Sequence, residues 1–388
     1  MKRVFAEELE SGMVIARTIV GADGRALLTE NTRLNEAYIQ RLQQLGISSV
    51  YIKDGLADIE IPEIISAQVL TAVSSNLNSI FKTFSSRKTL DINQLRKMIS
   101  LLLDDIVTNR NVIIHLEDIR AYDDHLLFHS INVAVLSMMT GLSMEYPEAK
   151  LVDLGLGALL HDIGMIMIDS AIFNSARERE LTAEEREEIQ KHAEIGFNIL
   201  RTYREVPTKV AHIAYQHHER FDGSGYPRKL DKKQILENAS IVAVADVFDA
   251  VVSDRPFRRG YSSTEAMMII RRLVNTYFDS EVVEAFATNI AMYPIGCLVS
   301  LNTGHVAVVT SVSRINSLSP VVYVTLDHEL NFIEKPFQLD LQEIRGFKIQ
   351  RRLSYEETEV VRAKIAGQKI ECQNKSPKIN SEKSYAVL

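Results

Sequence analysis

The sequence is poor in features that would assign it to several common classes of protein. It has only two cysteines, Cys297 and Cys372, which lie far apart and form no Cys-x-x-Cys pair. This excludes a disulfide framework and a thiolate zinc site, and it is typical of a protein from a reducing compartment. We find no apolar run near the roughly 18 residues that a membrane helix needs, so we expect no membrane insertion and a cytoplasmic location.

An excess of positive charge is also missing. The formal net charge is -7 over 388 residues, so no large nucleic-acid partner is expected. A local basic pocket for a small anionic ligand is still compatible with this balance. The length allows two or three domains, one of them with a sizeable core.

The pattern of apolar residues predicts a mainly α protein with a small module at each end. Short β-type pieces such as "GMVIARTIV" surround one helical stretch near the start, and β-rich pieces such as "HVAVVTSV" return after "MYPIG". The predicted units are an α/β module at 1–60, a helical connector at 61–114, an all-helical core domain at 115–292, an antiparallel β cap at 293–350, and a C-terminal helix with a loose tail at 351–388.

The helical connector has two interpretations. Its apolar stripe, which includes Val69, Val73 and Leu77, suits a helix that dimerises or relays a signal, but a helix packed on its own core is the interpretation that we favour. The first interpretation predicts a homodimer.

Histidines are concentrated in the helical core, where eight of the ten lie between residues 115 and 218. Neutral imidazoles and carboxylates together suit first-row metals such as iron, manganese or zinc, and a carboxylate can bridge two ions. Inward His and Asp residues from several helices are a recurrent way to build a two-metal site. The candidate ligands are His129, His161, Asp162, His192, His217, His218 and Asp246. We assign no ligand role to His115, His212, His305 or His328.

Two motifs, "LLHDIG" and "HHERFDGSGYP", resemble those of the HD-GYP family, the metal-dependent branch of the HD superfamily that hydrolyses the bacterial messenger cyclic di-GMP. The resemblance extends from about Tyr122 to Phe286 and includes "HSINV", "HAEIG" and "ADVFDAVVSDRPFR". It implies an HD-type helical bundle that carries a metal-dependent phosphodiesterase site.

The resemblance also implies a role for each matching residue. The seven candidate ligands occupy the family's metal positions, with His161 and Asp162 at the catalytic centre and Asp162 bridging. His125 falls where some members supply a ligand for a third ion, so it is either a further ligand or a supporting or surface residue. Asp249 and Glu219 are expected to support the ligands without binding metal themselves. The expected cofactors are two divalent ions, or three with His125, and iron or manganese fits best.

The expected chemistry is attack on a phosphodiester by metal-activated hydroxide, which yields pGpG, GMP or both. Gly223, Gly225 and Tyr226 would form the substrate rim, because glycine allows close backbone approach and tyrosine offers a packing face. Arg255 and Arg258 are candidates for contact with phosphate or guanine, since a guanidinium offers forked donors; a surface or capping role is the alternative.

Two positions depart from the family pattern. Met165 in "HDIGM" stands where the family has a lysine, and Ser175 lies near the position of a second one. A thioether cannot donate to phosphate. Arg177 is a candidate to replace the missing charge.

These departures leave three readings open. The chain is an active cyclic di-GMP phosphodiesterase, which we favour; a slow or binding-only sensor or protein-interaction scaffold with signalling partners; or a phosphodiesterase for another cyclic dinucleotide.

Overall fold

The computed structural model describes most of the chain. The described residues are 2–21, 25–45, 47, 49–53, 64–109, 125–169, 171–172, 180–253, 260–313, 317–344, 346–354, 356–358, 360–361 and 364.

The N-terminal residues form a small α/β unit with its own core. Two antiparallel strand pairs flank one helix, which Asn35 caps by accepting a hydrogen bond from the Tyr38 amide. The elements are β1 (Lys2–Phe5), β2 (Ile19–Val20), β3 (Ala26–Leu28), α1 (Glu36–Gln44) and β4 (Ser49–Ile52), with β1 paired to β4 and β2 to β3. Ile15, Leu34 and Leu42 are buried at its centre.

A bundle of ten helices follows and forms the largest core in the described residues. The helices are α2 (Ala67–Arg87), α3 (Ile92–Thr108), α4 (His125–Ser143), α5 (Glu148–Leu159), α6 (Ala183–Gln190), α7 (His192–Leu200), α8 (Thr208–Gln216), α9 (Glu237–Val252), α10 (Ser263–Arg272) and α11 (Ser280–Ala287). A short 3-10 helix, Ile163–Met167, follows α5. Capping boxes at Thr182 and Ser262 fix where α6 and α10 begin, because each side chain accepts from the amide three residues on.

Helix α4 lies at the centre of this bundle and packs against α2, α3, α5, α9 and α11. The window Leu126–Ser143 is long and apolar enough to cross a membrane by length and composition, which the sequence analysis did not predict. However, 83% of that window is buried inside the protein, as is typical of a core helix. Its apolar residues are therefore already in contact with other helices.

The chain continues into a five-stranded antiparallel sheet. Its order is β8-β7-β6-β5-β9, with β5 (Leu298–Leu301), β6 (Val306–Ser311), β7 (Val321–Leu326), β8 (Phe332–Asp340) and β9 (Ile349–Arg352). The predicted mainly α fold with an antiparallel C-terminal sheet is confirmed. Strand β8 was not predicted, because it contains Pro336; its place at the sheet edge explains how a residue without an amide hydrogen fits.

Candidate metal centre

The predicted ligands come from five places in the bundle, and the fold brings them together. Most of them stand at the end of a helix, where the chain turns. His129 is on α4, His161 and Asp162 follow α5, His192 begins α7, His217 and His218 follow α8, and Asp246 is on α9.

Asp162 lies in the middle of the histidines. Its Oδ1 is 3.2 Å from His192 Nε2 and 3.5 Å from His217 Nε2. Its Oδ2 is 3.5 Å from His161 Nε2 and 3.9 Å from His129 Nε2. The two oxygens of one carboxylate therefore face two different pairs of imidazoles.

The ligand atoms fall into two groups, and within each group all atoms lie within 4.8 Å of one another. The four-donor group contains Asp162, His192, His217 and His218, and the three-donor group contains His129, His161 and Asp246. The groups adjoin at Asp162, whose Oδ2 faces the second group.

Three of the imidazoles are oriented by backbone carbonyls at the ends of helices. In each, Nδ1 lies within hydrogen-bond distance of the carbonyl three residues earlier, in the last turn of a helix, where carbonyls lack the usual amide partner four residues further along the helix. The distances are 2.7 Å for His161 and Ala158, 2.6 Å for His192 and Ile189, and 3.0 Å for His217 and Ala214. Donation from Nδ1 leaves Nε2 as the available ligand atom.

Burial and charge set the protonation of the site. Burial alone would raise the pKa of Asp162, but the electrostatic interaction with His161 and hydrogen bonding by His217 hold that pKa well below its usual range. Burial lowers the pKa of His161, and it lowers the pKa of His218 further. Ionised carboxylate and neutral imidazole are the forms that bind metals.

His129 differs from these histidines. Burial alone would lower its pKa, but hydrogen bonds to Asp246 and Asp249 raise that pKa well above the usual value. Its Nε2 is 3.2 Å from Asp246 Oδ1, and its Nδ1 is 2.7 Å from Asp249 Oδ2. Without a bound ion, the surroundings of His129 therefore favour a positive charge, which a metal ion bound at Nε2 would replace.

The donors fit a divalent metal. His161 Nε2 is buried and makes no hydrogen bond in the part of the chain that the structure describes, although it lies among other ligand atoms. Leaving a buried polar nitrogen without a partner is costly, and a metal ion would satisfy it. The mixture of imidazole and carboxylate suits first-row divalent metals.

Residues after the paired histidines form one wall of the centre. The ring of Tyr226 stacks on His218 with 4.6 Å between centroids, and its amide donates to the His218 carbonyl. A Cβ at Gly225 would lie 2.4 Å from the backbone nitrogen of Arg220, so only glycine allows the loop to fold back this closely. Gly223 has a φ of +79°, in the left-handed region that favours glycine.

Glu219 anchors this loop. Its buried carboxylate accepts hydrogen bonds from the Arg228 amide at 2.8 Å and the Leu230 amide at 2.9 Å. The contact supports the loop that carries Tyr226 and does not involve the metal ligands directly.

We expect Glu219→Ala to destabilise the loop by about 1–3 kcal/mol, because two amides lose their acceptor. Native-state hydrogen exchange at Arg228 and Leu230 measures this. Glu219→Gln is the matched control, since its amide oxygen retains one acceptor and should cause a smaller loss of protection. Equal protection in the wild type and the alanine variant would contradict the anchoring role.

Several predicted site residues lie outside the described residues. They are Arg177, Arg255, Arg258 and Ser175, together with the side chain of His125 and the non-ligand His115. Met165 is half-buried in the 3-10 helix, and its amide donates to the Asp162 carbonyl. His212, His305 and His328 belong to neither ligand group.

One buried contact was missed by the sequence analysis. Asn132 Nδ2 donates to Asp249 Oδ1 at 2.8 Å, beside the bond between Asp249 and His129. An amide inside an otherwise apolar helix, three residues after a candidate ligand, is the signal that would have marked Asn132 as a buried polar residue, although it does not indicate Asp249 as the partner.

Comparison with known proteins agrees with this geometry. Residues 94–282 match the family described as HD domain. The matched segment contains both motifs, "LLHDIG" and "HHERFDGSGYP", that resemble those of the HD-GYP family. An HD domain implies divalent metal binding, which the donor set described above satisfies.

Curated relatives are similar to this chain over part of their length. A cyclic di-GMP phosphodiesterase of Pseudomonas aeruginosa is 32% identical over 248 residues, which is 63% of this chain and 59% of the relative. One from Thermotoga maritima is 42% identical over 159 residues, 41% of this chain and 43% of the relative. A 3'3'-cGAMP-specific phosphodiesterase of Vibrio cholerae is 32% identical over 43% of this chain and 35% of the relative. The chain therefore spans less than two thirds of each.

Proposed function

We propose that this HD domain is a metal-dependent phosphodiesterase that hydrolyses cyclic di-GMP to pGpG, GMP or both. The observation that carries the proposal is the position of Asp162, whose two oxygens face both ligand groups. The named activity of the relatives from Pseudomonas and Thermotoga supports the substrate.

The seven donors would hold two divalent ions, one in each group, and iron or manganese suits their mixture of imidazole and carboxylate. Bound ions would neutralise the phosphodiester and lower the pKa of water enough for hydroxide to attack near neutral pH. His125 would be the further ligand of a third ion. The protein holds His161, His192 and His217 in one tautomer through the carbonyls at the helix ends.

The Tyr226 wall provides the substrate rim in this proposal. Its ring packs against His218 and lies near His192 of the four-donor group, and its role in the proposal is contact with a base or ribose of the substrate. Burial raises the pKa of Tyr226, so the hydroxyl remains protonated near neutral pH and can donate a hydrogen bond. Gly223, Gly225, Arg255 and Arg258 complete the proposed rim, with Arg177 as an additional cation.

The test is anaerobic incubation of metal-quantified protein with cyclic di-GMP and ferrous or manganous ion, with the nucleotides resolved over time by chromatography. We expect pGpG or GMP to accumulate with time, and a chelator to stop it. Bound metal without any product from cyclic di-GMP would exclude the proposed activity on this substrate.

A second substrate is tested in the same assay, because one relative is named as specific for 3'3'-cGAMP. We expect cyclic di-GMP to be hydrolysed faster. Faster turnover of 3'3'-cGAMP would reassign the substrate while keeping the phosphodiesterase mechanism. Tight binding of either dinucleotide without turnover would instead indicate a sensor or scaffold.

We expect Met165→Lys to raise kcat/KM about 10-fold to 100-fold. A lysine three residues after Asp162 would add a charge-assisted hydrogen bond to the substrate phosphate, which contributes about 1.5–3 kcal/mol. Met165→Gln is the matched control, because it adds a neutral donor of similar length and should raise kcat/KM less. Identical kcat/KM in both variants and the wild type would show that this position does not meet the phosphate.

The predicted homodimer and signalling-protein partner are separate proposals. The apolar stripe of α2 already packs in the protein's own core, since Val73 and Leu77 are fully buried there. A dimer would therefore use the outer surface of α2 and α3. Light scattering at micromolar concentration tests it, and a monomeric mass would exclude it.

A further inference from the structure

The interface between α4 and α9 carries two pairs of polar residues in register. His129 and Asn132 are three residues apart on α4, and Asp246 and Asp249 are three apart on α9. Residues at this spacing share one face of a helix. The pairs meet across the interface, with Asp246 at His129 Nε2 and Asp249 at His129 Nδ1.

Asn132 completes this arrangement by donating a hydrogen bond to the other oxygen of Asp249. Its Nδ2 donates to Asp249 Oδ1 at 2.8 Å, while Asp249 Oδ2 is 2.7 Å from His129 Nδ1. All three side chains are buried. With one oxygen held by the amide, the carboxylate has its other oxygen fixed toward the imidazole.

His129 needs this support more than three of the other ligand histidines do. His161, His192 and His217 stand at helix ends, where a carbonyl of the last turn accepts from Nδ1. His129 lies inside α4, where the carbonyls are used by the helix itself. The acceptor for its Nδ1 must therefore come from another element, and Asp249 on α9 provides it.

We propose that Asn132 is a positioning residue that acts through Asp249 to orient His129 as a ligand of the three-donor group. The inference rests on the proposed metal site and assigns a role in it to Asn132. Removal of the outer partners of a ligand histidine lowers metal affinity about 10-fold to 100-fold. Asn132 should have an effect of this size on the three-donor group, with the four-donor group unchanged.

The test is titration of metal-free protein with Co²⁺ under anaerobic conditions, followed by visible absorption in competition with a chelator. The wild type is expected to bind in two phases, one for each group. Asn132→Leu, which keeps the approximate volume and removes the donor, should weaken one phase about 10-fold to 100-fold. The unchanged second phase shows in the same experiment that the variant is folded.

A double-mutant cycle separates positioning from a general packing effect. If Asn132 acts through Asp249, Asp249→Ala weakens the same phase, and adding Asn132→Leu to it has no further effect. Ser137→Ala is the matched control, because Ser137 is also buried on α4 and lies outside both ligand groups. This control should leave both phases unchanged.

The possible results distinguish this inference from the proposed function. Two phases in the wild type with no change in Asn132→Leu, or additive effects in the double mutant, would overturn the positioning role and leave the metal site intact. Failure of the wild type to bind any Co²⁺ would overturn the proposed metal site itself and the inference with it.

Discussion

Replacing Asp162 with alanine is expected to lower the rate of cyclic di-GMP hydrolysis at least ~1,000-fold. Metal ions contribute several kcal/mol to the stabilisation of a phosphoryl transition state, and about 4 kcal/mol corresponds to about 1,000-fold in rate. Asp162 should matter more than any single histidine, because its oxygens face both ligand groups. Single-turnover chromatography measures the rate, and atomic absorption measures the metal bound per chain.

The matched control is Asp153→Ala. Asp153 is an aspartate on α5 that pairs with Arg96 at 3.1 Å and belongs to neither ligand group. Its loss should change the rate less than about two-fold, because the half-buried pair that it forms with Arg96 contains none of the metal donors. If Asp162→Ala keeps more than a tenth of the wild-type rate and metal content, the bridging role is wrong.

The types and order of the metal donors were accessible from the sequence because they are local motifs. His161 and Asp162 are adjacent, as are His217 and His218, and burying so many imidazoles and carboxylates in an apolar chain requires partners. The structure brings all seven predicted donors together in two groups. Their roles as ligands remain a proposal that the Asp162 variant tests.

The orientation of those donors was not accessible, because it depends on contacts between distant parts of the chain. No local pattern pairs Asn132 with Asp249, which lies 117 residues further along. The anchoring of the loop by Glu219 was likewise missed, since its carboxylate accepts from backbone amides that carry no sequence signal. The strand β8 was missed because Pro336 has no amide hydrogen and therefore argues against a strand in the sequence. It fits in β8 because this strand lies at the edge of the sheet, a position that only the fold reveals.

Gly164 lies directly after two candidate ligands, at a contact between backbones that leaves no room for a side chain. Gly164 follows His161 and Asp162 in the 3-10 helix, which packs closely against α7. A Cβ at this position would lie 2.1 Å from the carbonyl oxygen of His192 and 2.8 Å from the amide nitrogen of Gly196. Both are backbone atoms, so a side-chain rotation cannot relieve the clash.

We expect Gly164→Ala to destabilise the protein by about 3 kcal/mol or more, at the upper end of the cost of overpacking. The clash is with His192 itself, so the same change should also separate His192 from Asp162 and weaken metal binding. Urea unfolding followed by helical circular dichroism measures the first effect, and Co²⁺ titration measures the second.

Gly196→Ala is the matched control on the facing helix. A Cβ there would meet Ala214 at 3.4 Å and the Gly164 nitrogen at 3.5 Å, which are ordinary contacts. Alanine is also favoured over glycine inside a helix by up to ~1 kcal/mol. Gly196→Ala should therefore be as stable as the wild type or more so, although it changes the same interface. Equal stability of the two variants would show that α7 can move away from the 3-10 helix, and that close contact at Gly164 does not determine the position of His192.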